Sequence, residues 1–256
     1  MIHPSALVHA GAKLAQDVEV GPYAVIGEHV EIGGGTSIGS HTVVTGHTRI
    51  GRNNRIFHHS VLGEGPQDKK YAGEPTCLEI GDGNTIREFC TFNTGTVQDA
   101  GVTRLGDDNW VMAYVHVAHD SQVGSHTILA NMVTLAGHVA IHDHVVLGGG
   151  TMVHQFCQVG AHAFTAGGSI VLRDVPPFVM ASGNSAQPHG INVEGLKRRG
   201  FSAQAIEEIW RAYKTLYKSG LALEEAKVAL REQAANCREL EMFVEFLDSS
   251  KRSIIR

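Results

Sequence analysis

From Leu105 to Val171 every sixth residue is aliphatic: Leu105, Val111, Val117, Val123, Leu129, Leu135, Ile141, Leu147, Val153 and Val159, with Thr165 the one exception before Val171. The residue four places further on is nearly always small or slim, from Val115, Ser121 and Thr127 on to Cys157, Ala163 and Ser169. A strict period of six is no amphipathic helix, whose apolar stripe recurs at about 3.6 residues. Nor is it the simple alternation of an isolated strand. It is an internal repeat, and it predicts short strands separated by tight corners. The same lattice opens at Ile2 and runs through Val8, Leu14, Val20, Ile26 and Ile32 to Ile56 and Leu62 without a miss. Glycine often follows the aliphatic residue (Gly21, Gly27, Gly39, Gly51), as expected where a strand ends at a sharp turn. The triplets Gly33-Gly34-Gly35 and Gly148-Gly149-Gly150 fall at such corners, and no helical pattern follows either, which weakens a phosphate-loop reading.

The lattice breaks twice. From Glu64 to Leu78 the chain is polar and carries Pro66 and Pro75, so residues 64–78 read as an inserted loop of the kind that tends to be functional. The repeat resumes at Ile80, Ile86 and Phe92, then breaks again over residues 96–104. It ends near Asp174-Val175-Pro176-Pro177. Beyond Pro188 the period turns helical: Phe201 to Ser219 with Ser202 as N-cap and Gly220 past its end, then Leu223 to Ala235 and Glu239 to Ser249. The expected division is residues 1–188 as a strand solenoid and 189–256 as a helical domain capping it.

Composition narrows the function classes. A formal charge of -5 and a pI near 6.3 argue against nucleic acid as the main partner. The four cysteines are scattered without a C-x-x-C pair, so neither a disulfide framework nor a zinc knuckle is suggested. The start, M-I-H-P-S-A, enters the repeat at once without a signal segment, and no window approaches the ~18 apolar residues of a membrane span. A cytoplasmic protein is expected.

Short strands at a six-residue repeat stack into parallel sheets around a narrow aliphatic core. The pattern resembles the hexapeptide-repeat acyltransferases. That resemblance implies a mainly β fold, a left-handed parallel β-helix with three hexads per coil and a small C-terminal α-helical domain, assembled as a homotrimer. The handedness comes from the resemblance alone, since general rules favour right-handed crossovers. Three hexads per coil stack residues eighteen apart at about 4.8 Å. His119, Gly137 and Gln155 then form one column, with His138 beside it and His116 and His154 near the same edge.

With 16 histidines in the chain, any one of them reads first as surface or corner decoration. His119 stands out because Asp120 follows it and Gly137 should stack over it. An imidazole held by a carboxylate is a general base for activating a sugar hydroxyl. A glycine lets a backbone N–H come close to a thioester carbonyl and stabilise the oxyanion. Together they suffice for direct acyl transfer, and no G-x-S-x-G elbow or candidate active cysteine suggests a covalent intermediate.

The stretches G-E-G-P-Q-D-K-K-Y-A-G-E-P-T, H-V-A-H-D, L-A-G-H-V, V-H-Q-F-C and G-I-N-V-E-G-L-K-R-R-G-F narrow the resemblance. They are similar to the branch of the family that acylates UDP-N-acetylglucosamine at the first step of lipid A biosynthesis. The resemblance implies transfer of a 3-hydroxyacyl chain from acyl carrier protein to the sugar 3-hydroxyl, with no cofactor and no resident metal. It assigns His119 as base, Asp120 as its orienting partner and Gly137 as oxyanion amide. His116, His138, His154 and Gln155 match substrate-positioning residues, and Asp68 and Lys70 reach the sugar nucleotide and acyl hydroxyl. Asn192, Glu194, Arg198 and the adjacent Arg199 match the uridine and phosphate contacts; the alternative for Lys197-Arg198-Arg199 is a solvated charge run. Gly167 occupies the acyl-length position, and glycine there implies a chain of about twelve to fourteen carbons, which nearby Phe164 would shorten. The family's usual I-H-R-G-T-V-Q is Phe92-Asn93-Thr94-Gly95-Thr96-Val97-Gln98 here, so its His and Arg are missing. All these groups are expected around one groove.

Arg49, Arg52 and Arg55 on successive corners are either a patch for an acidic carrier protein or ordinary surface charge. Two other functions remain open at the sequence level: a metal hydratase binding zinc through histidines of neighbouring subunits, and a non-catalytic scaffold.

Overall fold

The computed structural model of the chain describes residues 1–235 and 237–256. Most strands are two residues long and end on an aliphatic lattice residue, as in Glu19–Val20, Val25–Ile26 and Glu31–Ile32. They wind three to a turn, so Leu7 pairs with Val25 and Val25 with Val43, all parallel. Three sheets result, termed I, II and III here after the order in which the chain enters them at Leu7, Lys13 and Glu19, with nine, eight and ten strands. Leu129, Leu135 and Ile141 point inward from the three sheets, and Val133, Val139 and Val145 fill the inner corners. The six-residue period is therefore one side of a triangular coil.

The two loops do not disturb the stack. A rung normally bonds the one eighteen residues away, as Thr127 N–H does to Asn109 Oδ1. Across the first loop that spacing is 30 and across the second 25, yet Arg49, Glu79 and Arg104 remain in register. Val61–Glu64 and Cys77–Ile80 are paired as strands, so the first excursion is tighter than the sequence pattern suggests.

The corner glycines have a different cause from the one expected. Gly21 and Gly39 do not have positive φ; a Cβ there would meet the backbone of the next coil, Ser40 N at 2.9 Å and His58 N at 2.6 Å. Close approach of neighbouring rungs selects them. The left-handed residue of the turn is often His, Tyr, Phe or Asp, as at His126, His144, His162 and Phe178, with φ of 58–67°. Left-handed φ costs a non-glycine residue about 1 kcal/mol or more. Stacking offsets it: His126, His144, His162 and Phe178 form a column with ring centroids 4.9, 4.7 and 5.7 Å apart.

The strand pattern continues past Asp174. Val179–Ser182 adds a parallel rung to sheet III, and Gln187–Ile191 closes that sheet antiparallel. Among the described residues four α-helices follow: α1 (Val193–Arg198), not anticipated from the sequence, α2 (Ala203–Tyr217), α3 (Leu223–Ala234) and α4 (Glu241–Ser249). Ser202 caps α2 by accepting from Ala205 N–H. Among the described residues no helix is long and apolar enough to cross a membrane.

The outer faces differ sharply. Sheet II carries a charge ladder in which Lys13 meets Glu31 at 2.7 Å, Arg49 lies between Glu31 and Glu79, and Arg104 meets Glu79 at 2.8 Å. Sheet III presents Trp110, and the edge between III and I exposes Tyr23, Phe89, Tyr114 and Met132. Arg49, Arg52 and Arg55 form no single patch: Arg49 belongs to the ladder, and Arg55 faces outward from sheet III against Thr85 Oγ1.

The histidine column makes stability depend on pH. His162 is buried, its Nδ1 has no hydrogen-bond partner among the described residues, and burial followed by the nearby His144 pushes its pKa down to about 4. The unfolded chain takes up this proton near pH 6.5 and the folded chain only near 4, so stability falls as pH drops through that window. At about 1.4 kcal/mol per unit the loss is up to roughly 3 kcal/mol. His162→Phe, which matches Phe178 in the stack, is expected to flatten the pH 6.5–4 slope of urea-unfolding free energy; an unchanged slope rejects this account.

Candidate active site

At each corner between sheets I and II the residue before the left-handed position is turned outward, and these residues stack as His119, Gly137 and Gln155. His138 N–H donates to the His119 carbonyl (3.0 Å) and Phe156 N–H to the Gly137 carbonyl (3.1 Å), which fixes the column. The left-handed turn at Asp120 (φ 59°) folds two consecutive side chains together, so His119 Nδ1 lies 2.9 Å from Asp120 Oδ2. Asp120 is buried, and the second loop holds it: Thr96 N–H donates to Oδ1 (2.9 Å) and Thr96 Oγ1 to Oδ2 (2.6 Å). From the adjacent coil, Thr103 Oγ1 accepts the Asp120 N–H at 2.8 Å. An acceptor-only carboxylate at Nδ1 leaves the proton there and the lone pair on His119 Nε2.

Gly137 lies directly against the imidazole. A Cβ built on it would stand 2.5 Å from His119 Cε1 and 2.7 Å from Nε2. Its N–H has no acceptor among the described residues. A ring nitrogen with a free lone pair and a free backbone donor therefore open on the same space. His138 stands edge-on to His119 with ring centroids 5.0 Å apart, and its Nδ1 meets Asp99 Oδ2 at 2.7 Å. These groups line a cavity of about 840 Å³ with Asp68 and Lys70 of the first loop, Asn93 at the end of a sheet I strand, and Gln155 and Phe156 of the next rung. Asp68 Oδ1 accepts from Lys70 N–H (3.0 Å), which bends the first loop over the site.

His116 and His154 flank this cavity without lining it. The His116 ring sits on the outer face of sheet I, 2.7 Å from Thr91 Oγ1; burial, then the neighbouring His119, lowers its pKa. The His154 Nδ1 lies 3.1 Å from the Gln155 carbonyl.

The arginine set lies elsewhere. Asn192, Glu194, Arg198 and Arg199 line a separate cavity of about 590 Å³ between α1 and the outer face of sheet III, beside Ile128, Val146 and Phe164. His119 is at the corner opposite sheet III, so the single groove expected from the sequence is not formed within one chain. Each set is held differently. Asn192 caps α1, accepting from Gly195 N–H (3.1 Å) and donating to the His162 carbonyl (3.0 Å). Arg199 donates to the His144 carbonyl (2.8 Å) and is half-buried, while Arg198 is exposed. Glu194 pairs with Lys197 at 3.0 Å. Gly167 lies at the edge between sheets III and I, lining neither cavity, and a Cβ there would meet only Gly149.

Thr96, Asp99 and Thr103 were not singled out by the sequence. The available signal was the second lattice break, which lies in the coil before H-V-A-H-D. The departure at Asn93-Thr94 also has a local role: Asn93 Nδ2 donates to the Gly65 carbonyl (2.9 Å) and Thr94 Oγ1 accepts from Thr76 Oγ1 (3.1 Å), tying the first loop to the segment that leads into the second.

His119, Asp120 and His138 also place three candidate metal-ligand atoms within 4.8 Å of one another. Asp120 Oδ2, however, already faces Thr96 Oγ1 and His119 Nδ1, the pattern of a carboxylate orienting an imidazole.

Residues 103–137 match the family model for bacterial transferase hexapeptide repeats, and residues 174–255 match that for domain 2 of UDP-N-acetylglucosamine O-acyltransferase. The acyl-(acyl-carrier-protein)–UDP-N-acetylglucosamine O-acyltransferase of Thiobacillus denitrificans is 63% identical over 255 residues, covering 100% of this chain and 99% of that relative. Its counterpart in Janthinobacterium is 59% identical over 260 residues, with the same coverage. The solved structure of LpxA from Acinetobacter baumannii superposes with a TM-score of 0.97 at 46% identity, covering 100% of this chain and 99% of that one. The shared fold is the left-handed parallel β-helix with a small helical tail. The chain is thus an O-acyltransferase and belongs to the acyl-(acyl-carrier-protein)–UDP-N-acetylglucosamine O-acyltransferase family.

Proposed function

We propose that the protein is a cytoplasmic enzyme that moves a 3-hydroxyacyl chain from acyl carrier protein to the 3-hydroxyl of UDP-N-acetylglucosamine, the first step of lipid A biosynthesis. The observation that carries this reading is the contact of Gly137 with the His119 ring beside Asp120. His119 Nε2 takes the proton of the 3-hydroxyl as that oxygen attacks the thioester carbonyl. Asp120, anchored by Thr96, keeps Nδ1 protonated and stabilises the imidazolium. Gly137 N–H donates to the developing oxyanion. On collapse the C–S bond breaks, and the imidazolium returns its proton to the departing thiolate. Asp68, Lys70, His138 and Gln155 position the sugar and the acyl hydroxyl within the same cavity. His116 and His154 support them from the flanks.

A homotrimer reunites the two residue sets. The charged face of sheet II suits solvent, whereas the exposed aromatic edge between sheets III and I suits a threefold axis. About such an axis, sheet I of one copy faces sheet III of the next. His119 at the outer border of sheet I then meets Asn192, Glu194 and Arg198 of the neighbour, and a guanidinium is a natural fork for the nucleotide diphosphate. Arg199 stands behind them. Gly167 lies on the inner side, where the acyl chain would end, and its open surroundings leave room for a long chain.

His119→Ala is expected to lower kcat by about 10²–10⁴-fold while sedimentation still reports a trimer; near-normal turnover rejects His119 as the base. Mixing inactive His119→Ala and Arg198→Ala chains under subunit exchange should regenerate roughly a quarter of the sites; no recovery means that the two sets do not meet across copies. Gly167→Met should shift the preferred donor to shorter acyl chains in mass analysis of the products, and an unaltered profile removes Gly167 from the acyl path.

A further inference from the structure

The edge that carries His119 and Gly137 continues past Gln155 toward the helical tail and becomes cationic. Its last turn is cut short. Val153 to Val159 is a full hexad, but Val171, which pairs with Val153, reaches Val175, the bridge partner of Val159, two residues sooner. Arg173 stands exposed on that shortened turn. The C-terminal segment occupies the end of the stack beside it. Buried Asp174 receives Gln158 N–H on Oδ1 (2.8 Å) and Ser250 Oγ on Oδ2 (2.6 Å), and its backbone bridges Ile254, with Ile255 N–H donating to the Asp174 carbonyl (2.9 Å). This clamp brings Arg252 to the same edge, where Nη1 donates to the Gln155 carbonyl (2.7 Å) and lies 3.4 Å from His154 Nδ1.

One carbonyl engages only one of the five donors of a guanidinium. Among the described residues neither Arg173 nor Arg252 takes part in an ion pair. Two cations without carboxylate partners therefore flank one edge, on a protein of net charge -5. Rungs lie about 4.8 Å apart, so Arg173, three rungs beyond His119, is about 14 Å along the stack. Phe156 and Leu172, both exposed apolar side chains, lie between.

We propose that Arg173 and Arg252 bind the phosphate of the phosphopantetheine arm that carries the acyl thioester, an assignment that rests on the acyl-transfer reading above. About thirteen bonds separate the thioester sulfur from the phosphorus, the contour of a little over four residues or roughly 15 Å. That length spans the interval from the His119–Gly137 pair to Arg173. The uncharged amides and methyls of the arm then cross Gln155, Phe156 and Leu172, and the phosphate meets two guanidinium forks. The C-terminal segment thereby contributes a donor contact, although it is the part of the chain most distant in sequence from His119.

The test compares two minimal donors with the same acyl chain on the full-length trimer: 3-hydroxyacyl-phosphopantetheine and the unphosphorylated 3-hydroxyacyl-pantetheine. The expected kcat/KM ratio favours the phosphorylated donor by roughly tenfold or more. Arg173→Ala and Arg252→Ala should each lower the ratio, the double variant should bring it near one, and lysine at both positions should restore part of it. A ratio near one in the unaltered protein overturns the proposal. So does an unchanged ratio in Arg173→Ala, whose exposed side chain has no ion pair to lose. A loss seen only with intact carrier protein, and not with the free phosphopantetheine thioester, assigns the arginines to carboxylates of the carrier instead. Absence of transfer from every thioester defeats the acyltransferase reading itself, and this proposal with it.

Discussion

The whole molecule depends on one repeated constraint, the backbone hydrogen bond from each rung to the rung eighteen residues on. It is satisfied from Leu7–Val25 at one end to Met152–Ile170 at the other, and two insertions lengthen the covalent path without shifting it. Strands of two residues have almost no stability alone. They persist because each lattice side chain packs on those above and below in a core only a few side chains wide. Regularity here is a packing requirement, since a one-residue slip would turn each aliphatic residue outward.

The same constraint explains why the proposed site lies on an edge. Faces of the prism expose alternate strand residues, but corners combine a left-handed turn with the space for a long side chain. At Asp120, His138 and Phe156 that turn recurs on successive rungs. The result is a column in which His119, the bare Gly137 amide and Gln155 are set by the pitch of the stack instead of by flexible loops. The loops supply what the lattice cannot: Thr96 holds the carboxylate and Asp99 the second imidazole. Rigid rungs carry the proposed reacting groups, and inserted segments fix their hydrogen bonds.

Much of this was legible in the residues. The period of six gave the rungs, Ser202 and Gly220 bounded α2, and spacing of eighteen placed Gly137 over His119. What escaped had physical reasons. Thr96 and Asp99 reach the site through a loop whose path no periodicity encodes. α1 is six residues long, too short for a helical period to emerge, and its cap Asn192 shows itself only in the bond it accepts from Gly195 N–H. Arg198 and Arg199 look alike in sequence, yet one is exposed and the other is anchored on the His144 carbonyl. The distance between the arginines and His119 could not be read from one chain because the prism puts them on opposite sides.

The antiparallel strand Gln187–Ile191 and the bridge from Asp174 to Ile254 have a consequence for assembly. A column of identical rungs is a template onto which further strands can add without limit, as fibrils do. Here the last rung of sheet III is met by a strand of opposite direction, and the end of sheet II by the returning C-terminal segment. Further rungs are kept from adding at that end, so any association through it would have to use surfaces other than a continued stack.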